Sequence, residues 1–300
     1  MKRGRRERGG GRGGGGRGEG EALFSPEALR RAWQVVRRNG AAPGVDQVTV
    51  RRFERHLDRN LAQLRQELMD GTYEPLPVKR VLVPKPKGGL RPLAIWTLRD
   101  RVAQRVVHDT LVPILEPVFL DCSYGFRPGR SVADAVQAMI EARDAGRRWV
   151  VDADIEDCFG SLERRRLMRQ VRERVPEPLV VALIEKWLRA QIYNPARGQP
   201  ATAAASQGGV ITPLLANLYL HPFDVRINRV VPWGTLVRFA DDFVILCRRR
   251  RQAEVAWAAA RQALGQLGLR LNPRKTRLVH FDEGFKFLGV FFLRNEHFTL

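Results

Sequence analysis

The sequence predicts an α+β protein in which helices pack against an antiparallel sheet. Three observations lead there. Apolar residues recur at helical spacing through much of the first 118 positions. A strand-like run, RRWVVDADIEDCF, stays apolar until it meets acids. A later run, LVRFADDFVILC, reads as a tight hairpin. Strand, helix and strand, then two strands, then helix and strand, fit a layer of helices on one face of that sheet.

Residues 1–20, MKRGRRERGGGRGGGGRGEG, hold no apolar residue after Met1 and cannot nucleate a core. They read equally as a flexible RNA-binding arm or as a solubilising leader. Ser25 and Pro26 suit the cap and first turn of a helix over 26–38, ending at Asn39-Gly40. Phe53, Leu57, Leu61, Leu64 and Leu68 share one face of a second helix, which ends at Asp70-Gly71. VKRVLVPKP and LRPLAI, joined through Gly88-Gly89, predict a hairpin with a basic rim. Helical sequence resumes at 98–118. Ser131 with Asp134 forms a capping box for a helix whose apolar face is Val132, Ala135, Val136, Met139 and Ile140. Helices are predicted at 161–172 and 177–190, followed by a Gly/Ala/Ser-rich loop. SQGGV then opens the helix TPLLANLYLHPFD. After the hairpin comes a helix over 251–267, ended by Gly268, and two short strands around LRLNPRKTRLVHF and FKFLGVFF.

A chain of 300 residues suits one large domain or two lobes. Its 52 Lys and Arg against 32 Asp and Glu give a net charge of +20. The first 20 residues carry seven basic and two acidic side chains, so the remaining 280 still hold +15. Such an excess points to a polyanion, with nucleic acid the default partner and an anionic membrane the rival. No apolar stretch is long enough to cross a bilayer, and no signal peptide opens the chain. Cys122, Cys158 and Cys247 are odd in number and widely spaced, so they read as reduced thiols of a cytoplasmic protein.

Phe239-Ala240-Asp241-Asp242 is where the chemistry concentrates. Two adjacent carboxylates at the turn of an apolar hairpin are costly to bury without compensation, and a divalent cation is the simplest one. Two-metal phosphoryl transfer needs carboxylates from separate segments. Asp154, at the end of an earlier strand, is the third candidate. Asp152 rivals it, because the two share a strand face. Phe159 has a ring suited to press on the sugar of an incoming nucleotide, although a core aromatic is the simpler reading of that residue alone. Lys85 and Arg91 have the charge and reach for triphosphate oxygens. Gln207-Gly208-Gly209 offers backbone N–H groups and close approach. Lys275 is a candidate general acid for pyrophosphate. Each of these also has an ordinary reading as a solvated turn, a helix start or a surface charge.

The segments in order resemble the reverse transcriptases of bacterial group II introns and their relatives, from about residue 30 to the C-terminus. Eight blocks carry the likeness: NGAAPGVDQVTV, KPKGGLRPLAIWTLRDRVAQ, SYGFRPGRS, VVDADIEDCF, SQGGVITPLLANLYL, FADDFVILC, LGLRLNPRKT and FKFLGVFF. The resemblance implies a right-hand polymerase with fingers mainly in 21–147 and palm mainly in 148–300, residues 161–205 forming a helical return to the fingers. It implies that Asp154, Asp241 and Asp242 hold two Mg²⁺ ions, with Mn²⁺ as a substitute, and it favours Asp154 over Asp152. It places Phe159 at the sugar gate, matches Lys85, Arg91 and Gln207 to nucleotide contacts, and sets Phe287-Leu288-Gly289 against the primer end.

The chain departs from the family pattern in two ways. Phe239 stands where Tyr is more common, which removes one hydroxyl and leaves activity expected. The chain also ends 11 residues after Gly289, where the family normally continues into a helical thumb and maturase domain. The expectation is therefore a fingers-and-palm chain without that thumb, so processivity and splicing assistance are not expected of it unaided. The function expected is RNA-directed DNA synthesis on an RNA template from a DNA or RNA primer with dNTPs, intron RNA being a further partner and membranes none. The alternatives are a non-catalytic RNA-binding remnant, or a relative serving defence, CRISPR spacer acquisition or sequence diversification.

Overall fold

The computed structural model describes residues 20–40, 42–84, 89–193, 201–202 and 208–299, without the side chains of Arg91, Ala201 and Thr202. Lys85 and Gln207 lie outside the described residues, as does nearly all of the Arg/Gly segment. In chain order the elements are α1 (Pro26–Arg38), α2 (Val50–Glu54), α3 (Leu57–Met69), β1 (Val78–Pro84), β2 (Leu90–Ile95), α4 (Leu98–Leu115), α5 (Val132–Asp144) and β3 (Trp149–Asp154). There follow α6 (Cys158–Ser161), α7 (Arg164–Arg174), α8 (Pro178–Arg189), β4 (Gln191–Tyr193), β5 (Ala201–Thr202), α9 (Thr212–Val230), β6 (Thr235–Phe239) and β7 (Asp242–Cys247). The chain closes with α10 (Arg250–Gln266), β8 (Arg277–His280), β9 (Phe285–Phe287), β10 (Val290–Leu293) and β11 (Glu296–Thr299).

Local chemistry accounts for the element ends. The Ser25 hydroxyl accepts the Ala28 N–H ahead of Pro26. Ser131 and Asp134 form the expected capping box, with the Asp134 carboxylate accepting the Ser131 N–H at 2.7 Å. The expected helix around Phe53 is two helices. It breaks at Arg55-His56, and the Asn60 side chain donates to the Phe53 carbonyl at 2.9 Å.

Three sheets organise the molecule. Strands β2, β1, β4 and β5 form the first, with β1 and β2 antiparallel and Val83 opposite Arg91. Strands β4 and β5 fall in the Gly/Ala/Ser-rich stretch that the sequence predicts as a loop. The second sheet, in the order β6-β7-β3-β8, holds the acids. Val151, Ala153, Phe243 and Ile245 bury one of its faces with Leu215 and Leu218 of α9 and Ala256 and Ala260 of α10. Val150, Val244 and Leu246 bury the opposite face with Ala135 and Met139 of α5 and Phe285 and Phe292. Both faces are therefore covered, not one. The strands WVVDAD and DFVILC are apolar at both parities, the pattern of a doubly buried sheet.

The third sheet, β11-β10-β9, corrects the C-terminal reading. FKFLGVFF is a hairpin rather than one strand, with Phe287 opposite Val290. Its tip, Leu288 and Gly289, has φ of +50° and +79°, the left-handed pair that a tight two-residue turn needs. Val132 is 38% exposed, so the buried stripe of α5 is narrower than its apolar pattern.

Candidate active site

The sheet brings the distant acids together by register. Asp154, last residue of β3, sits directly opposite Asp242, first residue of β7. Phe239 pairs with Asp242 across the β6–β7 hairpin, leaving Ala240 and Asp241 as its two-residue tip. The Ile155 N–H donates to the Asp241 carbonyl and fixes the tip against the end of β3.

The three carboxylates feel one another. Loss of hydration, then the charges of Asp241 and Asp154 and a hydrogen bond with Asp154, pushes the Asp242 carboxyl up to about 7. Asp242 lies at an open, solvent-accessible sheet end, where the neighbouring carboxylates add to the larger effect of lost hydration. Burial and the Asp154 charge also raise Asp241. Asp154 is buried and held by two groups. Lys275 donates to its Oδ2 at 2.6 Å, and the Asn272 side chain donates to its Oδ1 at 3.3 Å. The Asn272 N–H also reaches the Asp154 carbonyl, so the NPRK turn is stitched to the end of β3. Its bond to Asp154 raises the Lys275 ammonium pKa.

Asp152 shares the face but not the cluster. It lies opposite Val244, two residues further from the hairpin tip, and pairs with Arg277 at 2.9 Å. Phe159 lies in α6, half-buried against the main core. Phe287 and half-buried Leu288 pack in the same cluster as Val237, Val244 and Phe239, which brings the β9–β10 tip to the carboxylate face. Arg91 is opposite Val83, one pair from the end of the β1–β2 ladder where the two strands are joined.

The glycines of SQGGV have a role that the sequence did not suggest. Gly208, at φ +123°, lies so close to β2 that an added Cβ would be 2.3 Å from the Ala94 carbonyl oxygen. An added Cβ at Gly209 would be 2.5 Å from the Thr212 hydroxyl. Here close approach serves contact between the chain's own segments.

Arg238 is the main residue that sequence reasoning missed. It is fully buried inside the FADD strand. Its guanidinium donates to both Asp224 oxygens at 2.7 and 2.5 Å, to Asn217 Oδ1 at 2.9 Å, to the Ser123 hydroxyl at 2.8 Å and to the Ala240 carbonyl at 2.9 Å. Burial alone would lower its pKa, but the Asp224 charge raises it, so the group stays charged. Ala240 has φ +57°, a costly conformation for alanine. Arg238 holds that tip from within, and Gly125 lies beneath it, where an added Cβ would be 2.6 Å from the Ala240 nitrogen. Arg238 and Asp224 each stand at a buried phase of an apolar element, and that was the available signal.

Three hard carboxylates on one sheet end suit a divalent cation by donor type and excess negative charge. Among the described residues, however, no three acidic, His or Cys side chains close around a single point. Lys275 and Asn272 hold Asp154 instead, so a metal at Asp154 Oδ2 requires the Lys275 ammonium to move.

Residues 83–292 match the family described as reverse transcriptase (RNA-dependent DNA polymerase). The chain belongs to this family of RNA-directed polymerases. Its curated relatives include a group II intron-encoded protein. It is 36% identical over 168 residues to the group II intron-encoded protein LtrA of Lactococcus lactis subsp. cremoris, covering 56% of this chain and 28% of LtrA. It is 35% identical over 306 residues to protein YkfC of Escherichia coli K12, covering 89% of this chain and 80% of YkfC. A telomerase from Candida albicans, solved with a fragment of telomeric RNA, superimposes with a TM-score of 0.57 over 76% of this chain and 47% of that one. At 13% identity that likeness speaks for the fold alone.

Proposed function

We propose that the chain extends a primer 3′ end on an RNA template with dNTPs, releasing pyrophosphate, and that Asp154, Asp241 and Asp242 carry the reaction. The carrying observation is the register of β3 against β7, which sets Asp154 opposite Asp242 with Asp241 at the adjoining tip. In this reading the three carboxylates hold two Mg²⁺ ions, which supply Lewis-acid activation of the primer hydroxyl and offset charge on the leaving pyrophosphate. The chain's own residues set the stage. In this reading Arg238 fixes the tip, Lys275 leaves Asp154 and gives a proton to the leaving group, and Phe287-Leu288-Gly289 bear on the primer. Lys85, Arg91 and Gln207 take the nucleotide, and Phe159 screens its sugar. Residues 21–147 are mainly the fingers and 148–300 mainly the palm, with 161–205 returning to the fingers.

One observation favours a second reading, an RNA-binding chain that does not polymerise: the Lys275 ammonium on Asp154. A titration separates the two. With primer and template bound, dNTP affinity should depend on Mg²⁺ and should fall in Asp242→Asn. Affinity independent of Mg²⁺ would leave the RNA-binding reading standing.

A further inference from the structure

The far end of the acid-bearing sheet has a chemistry of its own. Trp149 pairs with Cys247 on one side and His280 on the other. That row lies five residues along β3 from Asp154, about 17 Å at an extended rise of about 3.4 Å per residue. Trp149 has the phase of Val151 and Ala153, so it belongs to the face covered by α9 and α10, opposite the carboxylates. From this row β7 runs directly into Arg248-Arg249-Arg250-Arg251, all exposed. The Arg250 guanidinium lies 5.5 Å from the Trp149 ring centroid, and the His280 ring lies 4.9 Å from it. Arg147 donates to the Trp233 carbonyl at 3.2 Å, and Trp233 is 37% exposed at the same sheet end. Arg250 pairs with Glu254. Among the described residues, Arg248, Arg249 and Arg251 pair with no carboxylate.

Arg250 is held by Trp149 and Glu254, but its neighbours bring charge to the helix start without a carboxylate to meet it. The first turn of α10 carries no acid and holds Arg250 and Arg251, where the positive end of the helix repels them. Helices α1, α3, α4 and α5 carry Glu27, Asp58, Asp100 and Asp134 in their first turns, whereas α7, which opens Arg164-Arg165-Arg166, lacks an acid as α10 does; what α10 adds is the pair of tryptophans at the adjoining sheet end. A polyanion reverses the sign of the interaction, because arginines and helix end then attract the same phosphates.

We propose that this end of the sheet is a second nucleic-acid-binding surface, separate from the carboxylate cleft. Arg248, Arg249 and Arg251 take the phosphates of a single-stranded segment, Trp149 fixes Arg250, and Trp233 offers a ring for base stacking. The surface retains a part of the RNA that is not at the carboxylates.

The test uses the full chain without nucleoside triphosphate, so it reports whether or not the chain polymerises. The probe is a labelled, unstructured RNA of about 30 nucleotides, titrated between about 50 and 200 mM salt, with DNA of the same sequence in parallel. Arg248→Gln, Arg249→Gln and Arg251→Gln together should weaken RNA binding roughly tenfold and make the salt slope shallower by about 2. The triple variant should melt no lower than the wild type, since like charges leave a helix start. Equal change with DNA assigns the surface to phosphate and stacking, and a larger change with RNA assigns it to the 2′-hydroxyl as well. A control set, Arg164→Gln, Arg165→Gln and Arg169→Gln on exposed positions of α7, should change binding less. An unchanged affinity and slope, or an equal loss in the control set, overturns the proposal.

Discussion

Asp242 is the residue at which fold and chemistry conflict. Its folded carboxyl titrates near 7, above the ordinary value of 3.8. Between those values the folded chain binds more protons than the unfolded one, so stability falls as pH rises from about 4 to about 7. Raised pKa values at Asp241 and Asp152 act in the same direction. Melting in the absence of divalent metal should therefore fall with pH across this window, and Asp242→Asn should flatten the curve and melt higher at pH 8. A steeper fall in the variant would contradict the origin given to the shift. Phe159 makes a second claim at this scale. Phe159→Val should admit ribonucleotides in single-nucleotide incorporation, and unchanged discrimination would remove its gate role. The three carboxylates were legible in the sequence because acids at the ends of apolar strands are conspicuous. Arg238 was not, although it too interrupts an apolar strand, because its partners Ser123, Asn217 and Asp224 come from segments whose proximity only the tertiary fold reveals.

At the scale of elements, the FADD hairpin depends on a buried ion pair. Asp224→Asn leaves the Arg238 charge without its counterion and should cost about 3–5 kcal/mol in denaturant unfolding. The double change Arg238→Met with Asp224→Leu should recover much of that stability, yet extend primers poorly, because the Ala240 carbonyl has lost its donor. Recovery of both would reduce Arg238 to a core residue. Gly208→Ala should destabilise by about 1–3 kcal/mol by pressing on the Ala94 carbonyl. A neutral result would return those glycines to a nucleotide-facing role. The helices were readable from caps and periodicity, as Ser25 and Ser131 show. The C-terminal hairpin was not, since Leu288-Gly289 lacks the Asn or Asp that usually marks such a turn. Coverage of both sheet faces was written in WVVDAD and DFVILC, where neighbouring residues of either parity are apolar.

For the whole molecule, charge and fold address the same partner. The described residues contain no helix long and apolar enough to cross a membrane. Beyond the first 20 residues the chain still carries +15, and among the described residues basic side chains gather on α1, α7 and the α10 start. Template affinity should fall steeply with salt, by orders of magnitude between about 50 and 200 mM if six or more phosphates are neutralised. A salt-independent affinity would detach the charge from nucleic-acid binding. The ordered blocks made the family legible over most of the chain, because metal and nucleotide contacts must arise from fixed strand ends. Contacts between segments, such as Gly125 under Ala240 and Lys275 on Asp154, depend on packing distances that no local pattern encodes.

The central claim is that Asp154, Asp241 and Asp242 form one catalytic unit. Primer extension on an RNA template with dNTPs and Mg²⁺, by the wild type and by Asp241→Ala, tests it most directly. The expected result is extension by the wild type and none above background by Asp241→Ala, with the variant still folded and still binding the template. Extension by Asp241→Ala at the wild-type rate would contradict it.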